Sequence, residues 1–205
     1  MNEKKLELIE RASAVFMKFG IKSVTMDDLS RELGLSKKTF YKYFDDKNDL
    51  VYSIMDAKLN MDKAVCTEST ASAENAIEAF VNISRVVIEH FSNINPTVFY
   101  DLKKHFPEAW KIMEQHKWEF VLNNIHTNIL QGIQENLYRE NLDPQIIARY
   151  YVASIDIIMD GDVYPWPEFK PDNIVAQIHR FQIRGMVSEK GMTYIKETFN
   201  NEINE

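Results

Sequence analysis

The segment 24–47, VTMDDLSRELGLSKKTFYKYFDDK, predicts two short helices with a tight turn between them. Thr25 and Asp28 have capping-box spacing, in which a hydroxyl and a carboxylate satisfy amide groups that the first helical turn leaves unpaired. Gly34 can adopt a positive φ at the end of the first helix without steric cost. Ser36 can then cap the second helix. This is the layout of a helix-turn-helix DNA-reading motif.

The second helix, predicted at residues 37–44, has two distinct faces. Phe40 and Phe44 are one helical turn apart and point inward. The outward positions carry three lysines and a tyrosine: Lys37, Lys38, Tyr41 and Lys42. Lysines and hydroxyls suit the phosphates of a duplex and the base edges of its major groove. We therefore interpret this face as DNA-contacting; the alternative is a solvated helix face with ordinary surface lysines.

The stretch from residue 4 to residue 52 resembles the DNA-binding domain of the TetR family of bacterial transcriptional regulators. The resemblance lies in a first helix ending FMKFGIKSVTM, the core DDLSRELGLSKKTFYKYF, and DDKNDL at the start of the next helix. It implies a set of phosphate contacts: Thr25, Ser36, Tyr41, Tyr43 and Lys47. It also implies a set that faces the groove: Lys37, Lys38, Thr39 and Lys42. Phe40 and Tyr43 stand where a common variant of the family motif has leucine and histidine.

Helical periodicity runs through almost the whole chain, and no segment has the alternation of a convincing strand. We predict an all-α fold of about nine to ten helices. An N-terminal three-helix helix-turn-helix DNA-binding domain is expected at residues 1–47. A C-terminal helical ligand-binding and dimerisation domain is expected at residues 48–205. A helix at residues 47–66 links the two, since it would span about 30 Å at the usual rise per residue.

Turn signals divide the C-terminal domain further. The small polar run TESTASAEN, at residues 67–75, predicts a turn before a fifth helix. Asn95-Pro96 begins a short helix, and Pro107 suits the first turn of the next, which runs to about residue 136. Later helices are predicted at residues 144–161, at residues 172–190, and after Gly191.

The chain of 205 residues has a formal net charge of −7, which argues against a nucleic-acid partner until the distribution is considered. Residues 1–60 contain 11 Lys and Arg against 10 Asp and Glu, whereas residues 61–205 contain 13 against 21. A weakly positive head whose basic residues gather on one helix can bind DNA. The acidic remainder disfavours non-specific adhesion.

Large side chains in the C-terminal domain are interpreted first as packing, because aromatic stripes on helices usually form core. A resemblance to ligand-responsive proteins also implies an effector cavity lined by some of them: Phe91, Tyr100, Trp110, Met113, Trp118 and Tyr151. His90 or His126 would be polar contacts in that cavity.

Several other classes of protein are not supported. The five histidines lack metal-ligand spacing, and no nucleophile motif or glycine-rich phosphate loop occurs. We expect no metal, no cofactor and no enzymatic activity. The single cysteine, Cys66, is interpreted as a small core or boundary residue, with a redox role as the alternative. No apolar run has the length of a membrane span and no apolar signal opens the chain, so a cytoplasmic location is expected.

Dimerisation is expected because a helix-turn-helix protein usually reads two half-sites and needs a partner to set their spacing. Candidate interface residues follow helical spacing on the last two long helices: Tyr150, Ser154, Ile158, Ile174, Ile178, Phe181 and Gly185. The resemblance implies the same, since TetR-like proteins commonly dimerise through a four-helix bundle of their final two long helices. The alternative is that these side chains form internal core.

These patterns and the resemblance together predict a homodimeric regulator that binds a palindromic operator in double-stranded DNA. It would repress transcription until a small-molecule effector of unknown identity enters the C-terminal domain. The alternative from another class is a helical dimeric interaction module that is regulated by a protein partner rather than a small ligand. A protein captured specifically, with no stabilising compound in a thermal-shift screen, would favour that alternative.

Overall fold

The computed structural model describes residues 3–92, 94–95 and 97–199, and within them the fold is all-α, as predicted. The helices are α1 (Glu3–Phe19), α2 (Met26–Glu32), α3 (Lys37–Phe40), α4 (Lys47–Ala71), α5 (Ala76–Ser92), α6 (Thr97–His105), α7 (Pro107–Gln115), α8 (Leu122–Gln134), α9 (Pro144–Ile158), α10 (Pro171–Met186) and α11 (Glu189–Thr198). A π-helical segment, His116–Val121, joins α7 to α8. None of these helices is both long and apolar enough to cross a membrane.

The chain divides into two compact units. The first comprises Met1–Asp62 and Asn93–His116, and the second comprises Lys63–Ser92 and Lys117–Glu205. The first unit is larger than the predicted DNA-binding domain of residues 1–47, because it also contains the start of α4 and all of α6 and α7. The proposed boundary between residues 47 and 48 remains a prediction.

α4 extends beyond its predicted end at residue 66. The hydroxyls of Thr67 and Thr70 donate to carbonyl oxygens one turn back, at 2.7 and 2.8 Å, so both polar side chains are satisfied within the helix. The turn predicted over residues 67–75 is therefore confined to its last residues. Asn75 ends that turn, because its Oδ1 accepts from the Glu78 amide at 3.0 Å and caps α5.

The helix predicted from Pro107 to about residue 136 is not regular throughout. It begins at Pro107 and ends at Gln134, but the π segment interrupts it. A π turn closes i→i+5 hydrogen bonds, so the side chains that follow it are rotated relative to those before it. The spacing of apolar residues in the sequence does not distinguish a π turn from an α-helical turn. Pro96, part of the predicted start of the preceding helix, lies outside the described residues.

α10 ends at Met186, short of the predicted end at residue 190. Ser188 begins a new helix there, since its Oγ accepts from the Gly191 amide at 3.1 Å. An isolated antiparallel bridge pairs Val187 with Tyr138, far back along the chain. The break therefore depends on a tertiary contact as well as on a local cap.

Each unit has its own apolar core. In the first unit, buried side chains of α1 to α4 pack with those of α6: Leu8, Phe16, Leu29, Phe40, Leu50, Ile54, Val98 and Leu102. In the second unit, the main core includes Ile77, Phe80, Ile129, Tyr138, Val152, Ile183 and Ile195. A smaller cluster there contains Ile158, Ile174 and Val175. Because α2 and α3 contribute to the first core, packing of that unit sets their orientation.

Candidate nucleic-acid interface

The start of α2 is held by the predicted capping box. Thr25 Oγ1 accepts from the Asp28 amide at 3.1 Å, and Asp28 Oδ2 accepts from the Thr25 amide at 3.0 Å. The Thr25 hydroxyl also donates to the same carboxylate at 2.6 Å. Hydrogen bonds from Thr25 lower the pKa of Asp28, and Arg31 acts in the same direction. The carboxylate therefore stays ionised, and the start of the helix is defined.

The turn between the two helices also has the predicted chemistry. Gly34 adopts φ 68°, and across it the Leu35 amide donates to Ser30 O at 2.8 Å. This is a Schellman-type end, which satisfies a carbonyl of the last turn of α2. Ser36 Oγ then accepts from the Thr39 amide at 3.1 Å and caps α3. The turn is thus specified on both sides.

The inward face of α3 is formed by the predicted phenylalanines. Phe40 and Phe44 are buried, with ring centroids 5.4 Å apart. The helix itself is shorter than predicted and ends at Phe40. The Lys42 and Tyr43 amides donate to carbonyls three residues back, at 3.3 and 3.1 Å, so the chain continues as a tighter turn. That turn still returns Phe44 to the core.

The predicted DNA contacts all belong to the first unit. Those that lie exposed are Thr25, Ser36, Lys37, Lys38, Tyr41 and Lys42, and those that are half-buried are Thr39, Tyr43 and Lys47. The basic face of α3 and its following turn is therefore open to solvent, opposite the buried phenylalanines. Contact of these side chains with DNA remains a prediction.

An acidic residue lies beside the basic face. Lys37 Nζ forms an ion pair with the carboxylate of Asp27 on α2. Both side chains are about half exposed or more, at 65 and 47%. Exposed pairs of this kind contribute little free energy, so a phosphate can replace the carboxylate as the partner of Lys37.

Lys47, at the start of α4, is packed into the unit. Its Nζ donates to Lys22 O at 3.3 Å and lies 5.7 Å from the centroid of the Phe16 ring. Burial lowers the pKa of Lys47, while the charges of Asp101 and Asp28 act in the opposite direction. The ammonium group is therefore anchored before any phosphate arrives.

The predicted dimerisation residues lie on α9 and α10 and differ in exposure. Tyr150, Phe181 and Gly185 are exposed, whereas Ser154, Ile158, Ile174 and Ile178 are buried or half-buried within the second unit. Two apolar residues that the predicted set omitted, Ile146 and Ile157, are 64 and 49% exposed on α9. The exposed residues of the predicted set are available to a partner. The buried and half-buried ones pack inside the second unit, which was the alternative interpretation.

The predicted effector-lining residues are divided between the two units. Tyr100, Trp110 and Met113 belong to the first unit, and Phe91, Trp118 and Tyr151 belong to the second, as do His90 and His126. Tyr100 is 58% exposed, whereas Tyr151 is buried. A common lining role for the six side chains remains a prediction.

A buried polar cluster in the second unit was not predicted. The Tyr151 hydroxyl lies 3.1 Å from His179 Nε2, and Gln182 Nε2 donates to Ser154 Oγ at 3.0 Å. Among the described residues, His179 Nδ1 and Gln182 Oε1 are buried without a hydrogen-bond partner. Burial lowers the pKa of His179 to about 4, so the ring is neutral. The sequence signal for this cluster is that two polar residues of α10, His179 and Gln182, are one helical turn apart.

Two buried charged residues were also missed. Lys117, in the π segment, is 5% exposed and its Nζ lies 2.5 Å from Asp156 Oδ1 on α9. Asp101, on α6, is equally buried. Neither residue stands in a motif, so nothing in the sequence separates them from surface charges. Across the described ranges, no three His, Cys, Asp or Glu side chains group as a metal site would require.

Comparison with known proteins agrees with this geometry. Residues 8–54 match the model of the bacterial regulatory proteins, tetR family. An uncharacterized HTH-type transcriptional regulator of Bacillus subtilis, YvaF, is 21% identical over 174 residues, which cover 82% of this chain and 88% of that protein. The HTH-type transcriptional repressor KstR2 of Mycobacterium tuberculosis is 23% identical over 73% of this chain and 76% of its own.

A solved structure shares the fold over most of its length. A putative transcriptional regulator from Saccharomonospora viridis, in complex with choline, superposes with a TM-score of 0.72 at 16% identity. The match covers 92% of this chain and 100% of that one.

Proposed function

Because this chain is a transcriptional regulator of the tetR family, as residues 8–54 identify it, we propose that it represses transcription by binding a palindromic operator as a homodimer. The observation that carries the proposal is the exposed basic face of residues 37–42, held between the Ser36 cap and the buried Phe40. On this face Lys38 and Lys42 would point into the major groove, and Tyr41 would contact a phosphate of the backbone.

The homodimer is supported by the exposed apolar side chains of α9 and α10. Phe181 is 70% exposed and Tyr150 is 54% exposed, so both offer apolar surface to a partner. Burying them against a second copy removes their apolar surface from water. A two-fold dimer also presents two helix-turn-helix motifs, as a palindromic operator requires.

Repression and its release by a small molecule have precedents among the similar proteins. One relative is named a repressor, and one structural neighbour was solved with choline bound. By analogy, the effector of this chain enters the second unit and weakens operator binding. The effector can act only if it binds the released conformation of the protein more tightly than the DNA-binding conformation. This difference in binding free energy is typically about 1–3 kcal/mol.

We place the effector near Phe91, Trp118 and Tyr151, the members of the predicted set that belong to the second unit. The unpaired His179 Nδ1 and Gln182 Oε1 support a polar group of the ligand at this position, since buried polar atoms usually have partners. A neutral imidazole offers no charge to balance an anion, so we do not expect that group to be anionic.

Genomic footprinting with the purified protein tests the DNA-binding part of the proposal. We expect a small number of protected palindromes, bound with an affinity that falls steeply as salt rises. Protection that is absent, or binding that ignores ionic strength, would contradict it. Calorimetry tests the effector part. A compound that the products of the neighbouring genes act on is titrated into the protein with and without operator DNA. Equal affinity in the two titrations would exclude allosteric release, since linkage is reciprocal.

A further inference from the structure

The turn that leads into α2 is held from outside the helix-turn-helix motif. The Lys22 amide donates to Asp101 Oδ2 at 2.7 Å, joining the α1–α2 turn (residues 20–25) to α6 within the first unit. Asn95, just before α6, adds two bonds: its amide donates to Met17 O at 2.8 Å, and its Nδ2 donates to Lys18 O at 3.3 Å. Asn95 is therefore bonded to the end of α1, and Asp101 of α6 is bonded to the turn.

The turn and α6 also fit closely. Gly20 adopts φ 82°, and a Cβ added there would lie 2.8 Å from Thr97 Oγ1 on α6. A side chain at residue 20 would thus meet both backbone strain and a clash. The close approach leaves the Lys22 amide facing the Asp101 carboxylate, which is 5% exposed. A buried carboxylate needs such a partner, and an amide bonded to a charged acceptor is held strongly.

Lys22 connects this contact to a predicted phosphate ligand. Its carbonyl oxygen accepts from Lys47 Nζ at 3.3 Å, while its amide is held by Asp101. The two bonds use opposite sides of one residue, so a displacement of Asp101 moves the acceptor of Lys47 as well. Thr25, another predicted phosphate ligand, follows three residues later in the same turn.

We propose that Asp101, assisted by Asn95, is a positioning residue for DNA binding: it sets the α1–α2 turn so that Thr25 and Lys47 meet the phosphates together. The proposal rests on the DNA-binding function proposed above.

Fluorescence anisotropy with the full-length protein and its operator tests this role. Asp101→Ala should lower operator affinity roughly tenfold, the scale of one hydrogen bond to a charged group. Asp101→Asn should recover most of the loss, because the amide oxygen accepts the same bond from Lys22. Glu108→Ala, at an exposed acidic position of α7 in the same unit, is the matched control and should bind as the wild type does.

The salt dependence of operator affinity shows whether Asp101 positions a phosphate contact or only stabilises the fold. Loss of one phosphate contact should reduce the slope of log affinity against log salt by about one unit in Asp101→Ala. An unchanged slope, or an Asp101→Asn variant as weak as Asp101→Ala, would overturn the proposal. If Asp101→Ala does not fold, Asn95→Ala is the second variant: it removes the Nδ2 bond to Lys18 O and the two bonds that Oδ1 accepts from Thr97, and it keeps the backbone bond to Met17 O. Unchanged operator affinity and slope in that variant would overturn the proposal. Wild-type protein without salt-dependent operator binding would instead refute the proposed function.

Discussion

Tyr151 and His179 stack in the core of the second unit, with ring centroids 5.6 Å apart and the tyrosine hydroxyl 3.1 Å from His179 Nε2. Phe80 meets both rings edge-on, at 6.1 and 5.7 Å. These aromatic neighbours and the surrounding core keep water from the imidazole, which disfavours its charged form. Burial accordingly lowers the pKa of His179 to about 4 from 6.5.

This pKa shift predicts a pH-dependent stability. Between pH 6.5 and 4 the unfolded chain binds a proton at His179 that the folded chain does not. The stabilisation is complete above pH 6.5 and is lost as the pH falls towards 4, by roughly 3 kcal/mol at most. Urea unfolding across this range measures it. His179→Gln should flatten the dependence, and His126→Gln, the control in α8, should retain it. Equal slopes in the two variants would contradict the assignment.

Exposed side chains of the basic face should contribute to operator affinity but not to stability. Lys42→Ala and Tyr41→Ala should each weaken specific binding by about 1–3 kcal/mol, with unchanged melting temperature, because neither side chain is buried. Lys111→Ala, an exposed lysine of α7, is the control. Gel-shift titrations measure the effect. Operator affinity equal to that of the control in both variants would place the DNA contacts elsewhere.

Asp27 should weaken DNA binding through its pairing with Lys37. Asp27→Asn removes a negative charge beside the basic face and releases the lysine, so affinity for any duplex should rise a few-fold at low salt. The gain should disappear at high salt, where exposed charges are screened. Glu108→Gln, at an exposed acidic position of α7, controls for net charge. A gain that persists at high salt would argue against this electrostatic cause.

A charge on the exposed side of α10 should prevent dimerisation without unfolding the chain. Phe181 is 70% exposed, and a Cβ at Gly185 would meet no atom within 4 Å. Phe181→Glu or Gly185→Glu should therefore fold, yet bury an unpaired charge in a dimer, at a cost of several kcal/mol. Sedimentation should show monomers, and a gel-shift titration should show weak operator binding. A variant that remains dimeric and binds fully would move the interface to another surface.

Gly191 should be required by the close packing around Ser188. A Cβ there would lie 2.1 Å from the backbone oxygen of Leu137, which cannot rotate away. Gly191→Ala should therefore cost about 1–3 kcal/mol or more in thermal unfolding. At Gly161 nothing lies within 4 Å of an added Cβ, so Gly161→Ala is the control and should be close to neutral. Equal stability of the two variants would show that the chain absorbs the clash.

The helix-turn-helix motif could be predicted residue by residue because its determinants are local. Thr25, Gly34 and Ser36 act within three or so residues of their own positions, through caps and a left-handed turn. Helical spacing predicted that Phe40 and Phe44 are both buried, although α3 ends at Phe40 and a tighter turn brings Phe44 to the core. The confirmed resemblance to the tetR family rests on the same segment. The all-α class was equally accessible, since periodicity is a property of short windows.

The buried polar contacts were decided by partners distant in the chain. Asp101 contacts Lys22 over 79 residues, and His179 contacts Tyr151 over 28. In each pair the two partners belong to different elements, so a buried Asp101 or Lys117 cannot be told from a surface charge by its neighbours in sequence. Likewise the π segment and the end of α10 depend on how separate helices meet. Helix caps and the helical faces of the chain depend on residues within about one turn of each other, so the sequence determines them. Whether a charged side chain is buried depends on how distant segments pack together, so only the tertiary structure decides it.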